Sequence, residues 1–317
     1  MSHSHGHHLP ATNLTKFAWL SIAAAVVTIG LKTAAWWVTG SVGLLSDATE
    51  SLVNLAAAVL ALFVLRVAAR PPDSTHHFGH AKAEYFSAAV EGVMIFIAAV
   101  IIVASAVRRL LNPQPLSDLG IGLIVAVAAS VVNGVVGVIL LRAGRRHRSI
   151  TLTADGKHLW TDVVTTAGVL IGLGLVTLTG WEWLDPVVAI LVGANIIWTG
   201  FRLIHGAGGG LMDRTLSAAD NQTIAEALAQ QTDDDVSFHG LRTRQSGRVR
   251  FATVDMLVPG NWTVRQSHDR LEEVQTAVKA VLPDLDVTVH LEPREDPRSY
   301  GEYPVEVPIP DDPNLQP

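Results

Sequence analysis

The chain has 317 residues and only 16% charged residues, with a mean hydropathy of +0.34, which is typical of a protein with several membrane spans. Its net charge of −6 gives no reason to expect nucleic-acid binding, and the absence of cysteine excludes disulfides and thiolate metal sites. A metal ion bound by this chain must therefore use histidine, carboxylate or amide side chains, or water.

The N-terminal segment reads MSHSHGHHLP and lacks the basic region and apolar core of a cleavable signal peptide. Its histidines form a short tract of a kind that can bind transition metals loosely: His3, His5, His7 and His8. We expect residues 1–13 to form a His-rich cytoplasmic tail. The alternative is a disordered tail or an expression remnant with no role in metal binding.

Six apolar segments follow, each of about the length that crosses a bilayer. They are Phe17–Thr39, Leu44–Leu65, Tyr85–Val107, Leu119–Leu141, Leu159–Leu178 and Leu184–Ile204. The loops after the second and fourth segments carry eight lysines and arginines, whereas the first and fifth connections carry none and the third carries only Arg108 and Arg109. The positive-inside rule therefore places the even-numbered loops and both termini in the cytoplasm. Residues 14–211 are therefore predicted to be an all-α, six-helix transmembrane domain in the lipid bilayer.

The chain changes character after Asp213, where polar residues become frequent. Periodicity predicts two helices, at 216–231 and 264–282, and three strands, at 237–244, 248–258 and 287–291. The order α-β-β-α-β predicts a small cytoplasmic α+β domain over residues 212–295, with helices on one face of a single sheet. Residues 296–317 are rich in proline and acid and are predicted to be a disordered tail.

The fifth apolar segment carries His158 and Asp162, four residues apart. In a helix this spacing puts both side chains on one face, one turn apart, where an imidazole and a carboxylate can bind one divalent ion. Ionisable groups inside a membrane helix are costly and usually mark an ion path. The alternative is that the pair lies in the headgroup region and only caps the helix.

The second apolar segment carries Asp47, Glu50 and Asn54, which fall within about 60° of one another on a helical wheel. A single polar residue here could simply hold helices together. Two carboxylates and an amide on one stripe are harder to explain, because bare carboxylates in lipid are expensive. Together with His158 and Asp162, the stripe completes a four-ligand site of nitrogen and oxygen donors that can surround one ion tetrahedrally.

Four motifs extend the pattern along the chain: GSVGLLSDATESLVN, DSTHHFGHAKAE, TADGKHLWTDV and FHGLRTRQSG. In this order they resemble the cation diffusion facilitator family, and the resemblance covers residues from about 14 to 295. It implies a dimeric exporter that exchanges a divalent metal ion for protons, with six membrane helices and a ferredoxin-like cytoplasmic domain. We expect a transporter and no enzymatic activity.

The resemblance places the transport site at Glu50, Asn54, His158 and Asp162. The family usually has His or Asp at the position of Glu50 and Asp at that of Asn54, so the neutral amide of Asn54 is a departure. Asp47, one turn away, either enters the site or supports it from outside. Metal identity and proton stoichiometry stay open at this stage.

The resemblance also implies two metal sites outside the membrane. The first, in the loop after the second helix, comprises Asp73, His76 and His80, with His77 beside them. The second is a binuclear site at the dimer interface of the soluble domain, drawn from His239, Asp255, His268, His290 and Glu292. In each case the alternative is ordinary surface hydrogen bonding. Lys82 and Asp213 match family positions that form a salt bridge joining the membrane and cytoplasmic parts of the dimer.

These features predict proton-coupled efflux of a divalent transition metal from the cytoplasm by alternating access. Zinc is the first expectation for cargo and regulatory ion, with iron(II), manganese, cadmium and cobalt as alternatives. The expected partners are a second copy of the chain, the bilayer of a bacterial inner membrane, and protons. A metal-sensing membrane receptor without flux is the competing function. An intramembrane metalloprotease is not favoured, because the sequence contains no HExxH motif.

Overall fold

A computed structural model describes residues 14–39, 42–112, 120–181, 183–301 and 303–310. Within these ranges it does not describe the side chains of residues 38–39, 42–50, 53, 120–122, 173 and 177. The chain divides into two compact units between Gly209 and Gly210.

The first unit contains six long helices. They are α1 Thr15–Thr39, α2 Val42–Ala68, α3 Ala83–Leu111, α4 Gly120–His147, α5 Ile150–Thr179 and α6 Leu184–Leu211. Over the described residues, five of them are long and apolar enough to cross a membrane, and α2 contributes a shorter apolar stretch, Asn54–Ala68. The predicted transmembrane helical domain is confirmed.

Helix α5 begins at Ile150, well before the predicted start at Leu159. Ser149 caps the helix by accepting a hydrogen bond from the backbone N–H of Leu152, and its hydroxyl donates to Glu84 Oε2 on α3 at 2.6 Å. The polar residues TADGK therefore belong to the helix. Hydropathy alone misses this part of the helix, because it does not show whether protein or lipid surrounds a polar residue.

Helix α5 also contributes to both apolar cores of the membrane unit. One core packs α1, α2 and α4 around Leu152 and Leu159, and the other packs α3 and α6 around Ala154. Glycines bring α4 unusually close to α5. A Cβ added to Gly144 would lie 2.5 Å from Thr153 Oγ1, and one added to Gly156 would lie 2.9 Å from the Leu141 side chain. Close packing through small residues is typical of membrane helices, and here it fixes the helix that carries His158 and Asp162.

The second unit contains the predicted α-β-β-α-β order. Its elements are α7 Ala218–Ala229, β1 Ser237–Ser246, β2 Val249–Val258, α8 Val264–Val281 and β3 Leu285–Pro293. The central strand β2 pairs antiparallel with β1 and parallel with β3. Thr263 caps α8 in a capping box with Gln266. The two helices contact each other and pack on the sheet through one core, so the α+β prediction is confirmed.

The predicted disordered tail is wrong for the residues that the structure describes beyond β3. Pro297–Tyr300 form a short 3-10 helix capped by Asp296, and Ile309 is buried in the core of the soluble domain. The backbone N–H of Val307 donates to Leu241 O at 2.7 Å. Composition suggests disorder because proline and acid dominate, but Ile309 and Val307 pack in and against the core, and Tyr303 donates to Asp255.

Candidate metal centres

The membrane unit brings together Asn54 on α2 with His158 and Asp162 on α5. The Asn54 amide donates to Asp162 Oδ2 at 2.6 Å, and its carbonyl oxygen accepts from His158 Nε2 at 2.8 Å. Both Asn54 and His158 are 6% exposed. The helical spacing of His158 and Asp162 therefore puts both side chains against the same amide. The side chains of Asp47 and Glu50, the other predicted members of this site, lie outside the described part of the structure.

A third helix contributes a residue that sequence reasoning missed. Asn133, on α4, donates from Nδ2 to Asp162 Oδ2 at 2.9 Å, so this carboxylate oxygen accepts from two amides. Asn133 is buried, and its Oδ1 has no hydrogen-bond partner among the described residues. A lone buried asparagine in an apolar helix was a signal in the sequence, but only the tertiary packing assigns it to this site.

Three further buried acids lie on α3 and α5. Glu84 accepts from Ser149, Glu91 accepts from Ser87 at 3.0 Å, and Asp155 accepts from Ser21 at 3.1 Å. Sequence reasoning did not single them out, although Glu91 lies inside the third apolar segment, where an acidic residue is itself a signal. Serine hydroxyls reduce the cost of burying these carboxylates.

The loop between α2 and α3 gathers Asp73, His76 and His80, whose ligand atoms lie within 4.8 Å of one another. Asp73 Oδ1 accepts from the Thr75 hydroxyl at 2.7 Å and from the backbone N–H groups of Thr75 and His76, each at 2.8 Å. These hydrogen bonds, chiefly the one from the Thr75 side chain, lower the pKa of Asp73 well below its usual range. His77, the fourth predicted residue, is exposed and lies outside this cluster.

The soluble domain gathers His239, Asp255 and Glu292, again with ligand atoms within 4.8 Å of one another. Each residue comes from a different strand. His239 on β1 is directly opposite Asp255 on β2, and His239 Nε2 lies 3.2 Å from Glu292 Oε2 on β3. One imidazole and two carboxylates, held this close and largely buried, form a donor set that suits a divalent transition metal ion.

The structure does not bring the other two predicted histidines of this domain into the described cluster. His290 Nε2 is 3.6 Å from Glu292 Oε1, but its side chain is 70% exposed. His268 is also exposed, with its ring 4.0 Å from Glu272. Asp213, predicted to pair with Lys82, accepts from Arg244 Nη1 at 3.1 Å, while Lys82 belongs to the other unit and is partly buried.

Tyr303 extends the cluster of the soluble domain beyond the predicted residues. Its hydroxyl donates to Asp255 Oδ2 at 2.9 Å, and its ring lies 3.9 Å from the guanidinium carbon of Arg242. The hydrogen bond to Asp255 raises the pKa of Tyr303, so the phenol stays protonated and continues to donate. Sequence reasoning missed this residue because it lies in the segment read as disordered.

Comparison with known families identifies the class of protein. The model of the cation efflux transmembrane domain matches residues 18–212, and that of the cation efflux protein cytoplasmic domain matches residues 216–294. These two matches define a membrane-embedded cation-efflux protein, a transporter rather than an enzyme. The chain belongs to the cation diffusion facilitator family.

Two relatives of similar length agree with the family. The chain is 49% identical over 296 residues to an uncharacterized transporter of Synechocystis, covering 92% of this chain and 96% of that protein. It is 32% identical over 280 residues to the cation-efflux pump FieF of Salmonella arizonae, covering 88% and 93%. The metal-bound C-terminal domain of the CzcD transporter from Thermotoga maritima also matches, with 22% identity, a TM-score of 0.24, and coverage of 26% of this chain and 99% of that one.

Proposed function

We propose that this transporter exports a divalent transition metal ion from the cytoplasm in exchange for protons, with zinc as its first cargo. The observation that carries the proposal is the convergence of Asn54, His158 and Asp162 from two membrane helices. These three residues can supply nitrogen and oxygen ligands to a tetrahedral zinc ion, which takes four ligands. Glu50, on the same stripe of α2 in the sequence, is the proposed fourth ligand, and Asp47 is its alternative or support.

Ion binding at this site requires an exchange of partners. His158 Nε2 donates to Asn54 in the structure, so this nitrogen must release its proton before it can bind an ion. Asp162 accepts from both amides at Oδ2, so its other oxygen, Oδ1, is the one proposed to bind the ion. Protons that reach the site from outside compete for the same atoms, because histidine and carboxylates bind metal only when deprotonated. Alternating access of the bundle to the two sides would then couple metal efflux to proton entry.

The clusters outside the membrane are proposed to act differently. Asp73, His76 and His80 would hold an ion in the loop between α2 and α3, and His239, Asp255 and Glu292 would hold a regulatory ion in the soluble domain. An ion in the soluble domain would neutralise two carboxylates that otherwise lie close together. We propose further that the protein works as a homodimer in a bacterial inner membrane with both termini in the cytoplasm, and that Lys82 and Asp213 contribute to the dimer.

The decisive test is metal flux into proteoliposomes, measured for zinc, iron(II), manganese, cadmium and cobalt with and without a pH gradient. We expect zinc uptake that grows when the lumen is acidic, together with alkalinisation of the lumen. Metal binding without flux of any ion would contradict the proposal and favour the metal-sensing receptor. Metal flux of the same rate with and without the pH gradient would contradict the proton coupling but not the metal transport.

A further inference from the structure

The C-terminal segment 303–310 forms a strap across the soluble domain, with residue 303 at one end and residue 309 at the other. Ile309 is 3% exposed within the domain core, and Val307 donates its backbone N–H to Leu241 O. Leu241 lies where the pairing of β1 with β2 is interrupted, between His239 and Arg242. The strap therefore docks beside the irregular part of β1 that carries a residue of the candidate metal cluster.

Tyr303 is the part of the strap that reaches this cluster. Its hydroxyl donates to Asp255 Oδ2 at 2.9 Å, and the Arg242 guanidinium covers its ring. Gly240, with φ +65°, leaves just enough room, since a Cβ there would lie 2.6 Å from both Asp255 Oδ2 and Tyr303 Cε2. The hydrogen bond between Tyr303 and Asp255 is thus supported by the Arg242 guanidinium on the ring and by the close approach at Gly240.

We propose that Tyr303 is a positioning residue of the cytoplasmic metal site, and that docking of the strap and ion binding stabilise each other. The inference rests on the proposed binding of a metal ion by His239, Asp255 and Glu292. A carboxylate that accepts a hydrogen bond on one oxygen is oriented and can offer the other oxygen to an ion. Tyr303 therefore prepares Asp255 for binding, and the ion in turn fixes the carboxylate that holds Tyr303.

Because coupling between two binding events is reciprocal, two measurements report the same effect. The first is the affinity of the site for zinc, which the hydroxyl of Tyr303 should raise. The second is hydrogen exchange in the peptide that carries Val307, whose backbone N–H donates to Leu241. Zinc should slow this exchange, since it holds the strap on the domain.

The experiment uses the full chain, purified in detergent, with the other two clusters disabled by His158→Ala and His80→Ala. In this background Tyr303→Phe removes only a hydroxyl and keeps the ring beside Arg242. We expect zinc affinity, measured by calorimetry, to fall about 10- to 100-fold, as is typical when a hydrogen-bonding partner of a ligand is lost. The zinc-dependent slowing of exchange at Val307 should also disappear.

The matched control is Tyr300→Phe, because Tyr300 is in the same tail and its hydroxyl donates to Arg294 O rather than to a residue of the cluster. Its zinc affinity should stay within about twofold of the parent. Equal affinity in Tyr303→Phe and the parent, tighter binding in Tyr303→Phe, or equal weakening in both tyrosine variants would each overturn the proposal.

Two further variants keep the outcomes distinct. If the background chain holds no zinc that His239→Ala removes, the proposed metal site itself is wrong. If Tyr303→Phe proves poorly folded by circular dichroism, Ile309→Ala releases the far end of the strap and leaves the Tyr303 hydroxyl in place. Zinc affinity should then fall in the same direction by a smaller factor, and an unchanged affinity would overturn the coupling between strap and site.

Discussion

The membrane cluster and the cluster of the soluble domain use similar donor atoms but are assembled in different ways. In the membrane, two ligand candidates lie four residues apart on one helix, and their partners come from α2 and α4. In the soluble domain, each of the three strands contributes one residue, His239, Asp255 or Glu292. Helical spacing thus makes the first cluster compact in sequence, whereas strand register makes the second compact only in space.

The largest expected effect breaks the membrane cluster. His158→Ala removes the imidazole that faces Asn54 and should abolish metal flux, a loss of more than about 100-fold, larger than that from an outer partner of a ligand. His205→Ala is the matched control, because His205 is an exposed histidine on α6 of the same unit. Flux into proteoliposomes checks both. Near-normal flux of every metal in His158→Ala would show that His158 is not part of the transport site.

Asn54→Asp sharpens the comparison by changing the charge of the membrane cluster. The substitution replaces an amide donor, 2.6 Å from Asp162, with a second carboxylate. Repulsion between the two carboxylates is relieved by an ion, so zinc affinity should rise about tenfold, with more protons displaced per ion and slower release. Calorimetry in two buffers of different protonation enthalpy measures both quantities. If Asp47 already supplies the missing carboxylate, Asn54→Asp will change little and Asp47→Asn will abolish flux.

Asn133→Leu tests whether the third helix matters to the membrane cluster. Loss of one amide donor leaves Asp162 less well oriented, and zinc affinity should fall about tenfold. Asn195→Leu, at an exposed position on α6, makes the same chemical change away from the cluster. An equal change in zinc affinity for the two variants would indicate that Asn133 has only a general packing role.

In the soluble domain, the two predicted histidines should behave differently. His239 is 2% exposed and belongs to the cluster, whereas His290 is 70% exposed. We expect His239→Ala to lower zinc affinity of this site about tenfold or more, and His290→Ala to lower it by about twofold. Zinc titration of the chain with the other clusters disabled compares them. A larger loss of zinc affinity in His290→Ala than in His239→Ala would show that burial does not identify the ligands of this site.

The smallest expected effect concerns the loop cluster and its pH dependence. The Thr75 hydroxyl is the main cause of the lowered pKa of Asp73, so Thr75→Val should move that pKa back toward 3.8. With a depressed folded-state pKa, the stabilising contribution of Asp73 is fully present above pH 3.8 and is lost as the pH falls through the folded value. An NMR titration of the Asp73 carboxyl carbon measures the shift. An unchanged pKa would show that the backbone N–H donors suffice.

The sequence predicted most of the fold and the parts of the clusters that local periodicity determines. The sequence places His158 and Asp162 on one face, because residues four apart lie about one turn apart on a helix. Asn133 was missed because its approach to Asp162 depends on the packing of α4 against α5. On β3, alternation placed His290 and Glu292 on one face but could not show that only Glu292 turns toward His239.

The soluble domain contains the clearest failure of composition as a guide. Proline and acid suggested a disordered tail, yet Ile309 enters the core and Tyr303 contacts Asp255. Conformational freedom that proline removes from the unfolded chain makes such a segment cheaper to dock. Its few apolar residues are sufficient to dock the segment, because Leu241, in the irregular part of β1, accepts a hydrogen bond from the Val307 backbone.

The hydrogen bond between His158 and Asn54 also bears on how long an ion stays. An arriving ion must displace this bond, so part of the free energy gained on binding is offset by the bond that it breaks. The same bond reforms as the ion leaves, which lowers the barrier to departure. A binding pocket is improved by long residence, but a carrier is limited by it, because each turnover waits for release. The neutral amide of Asn54 therefore suits a protein selected for throughput rather than for retention.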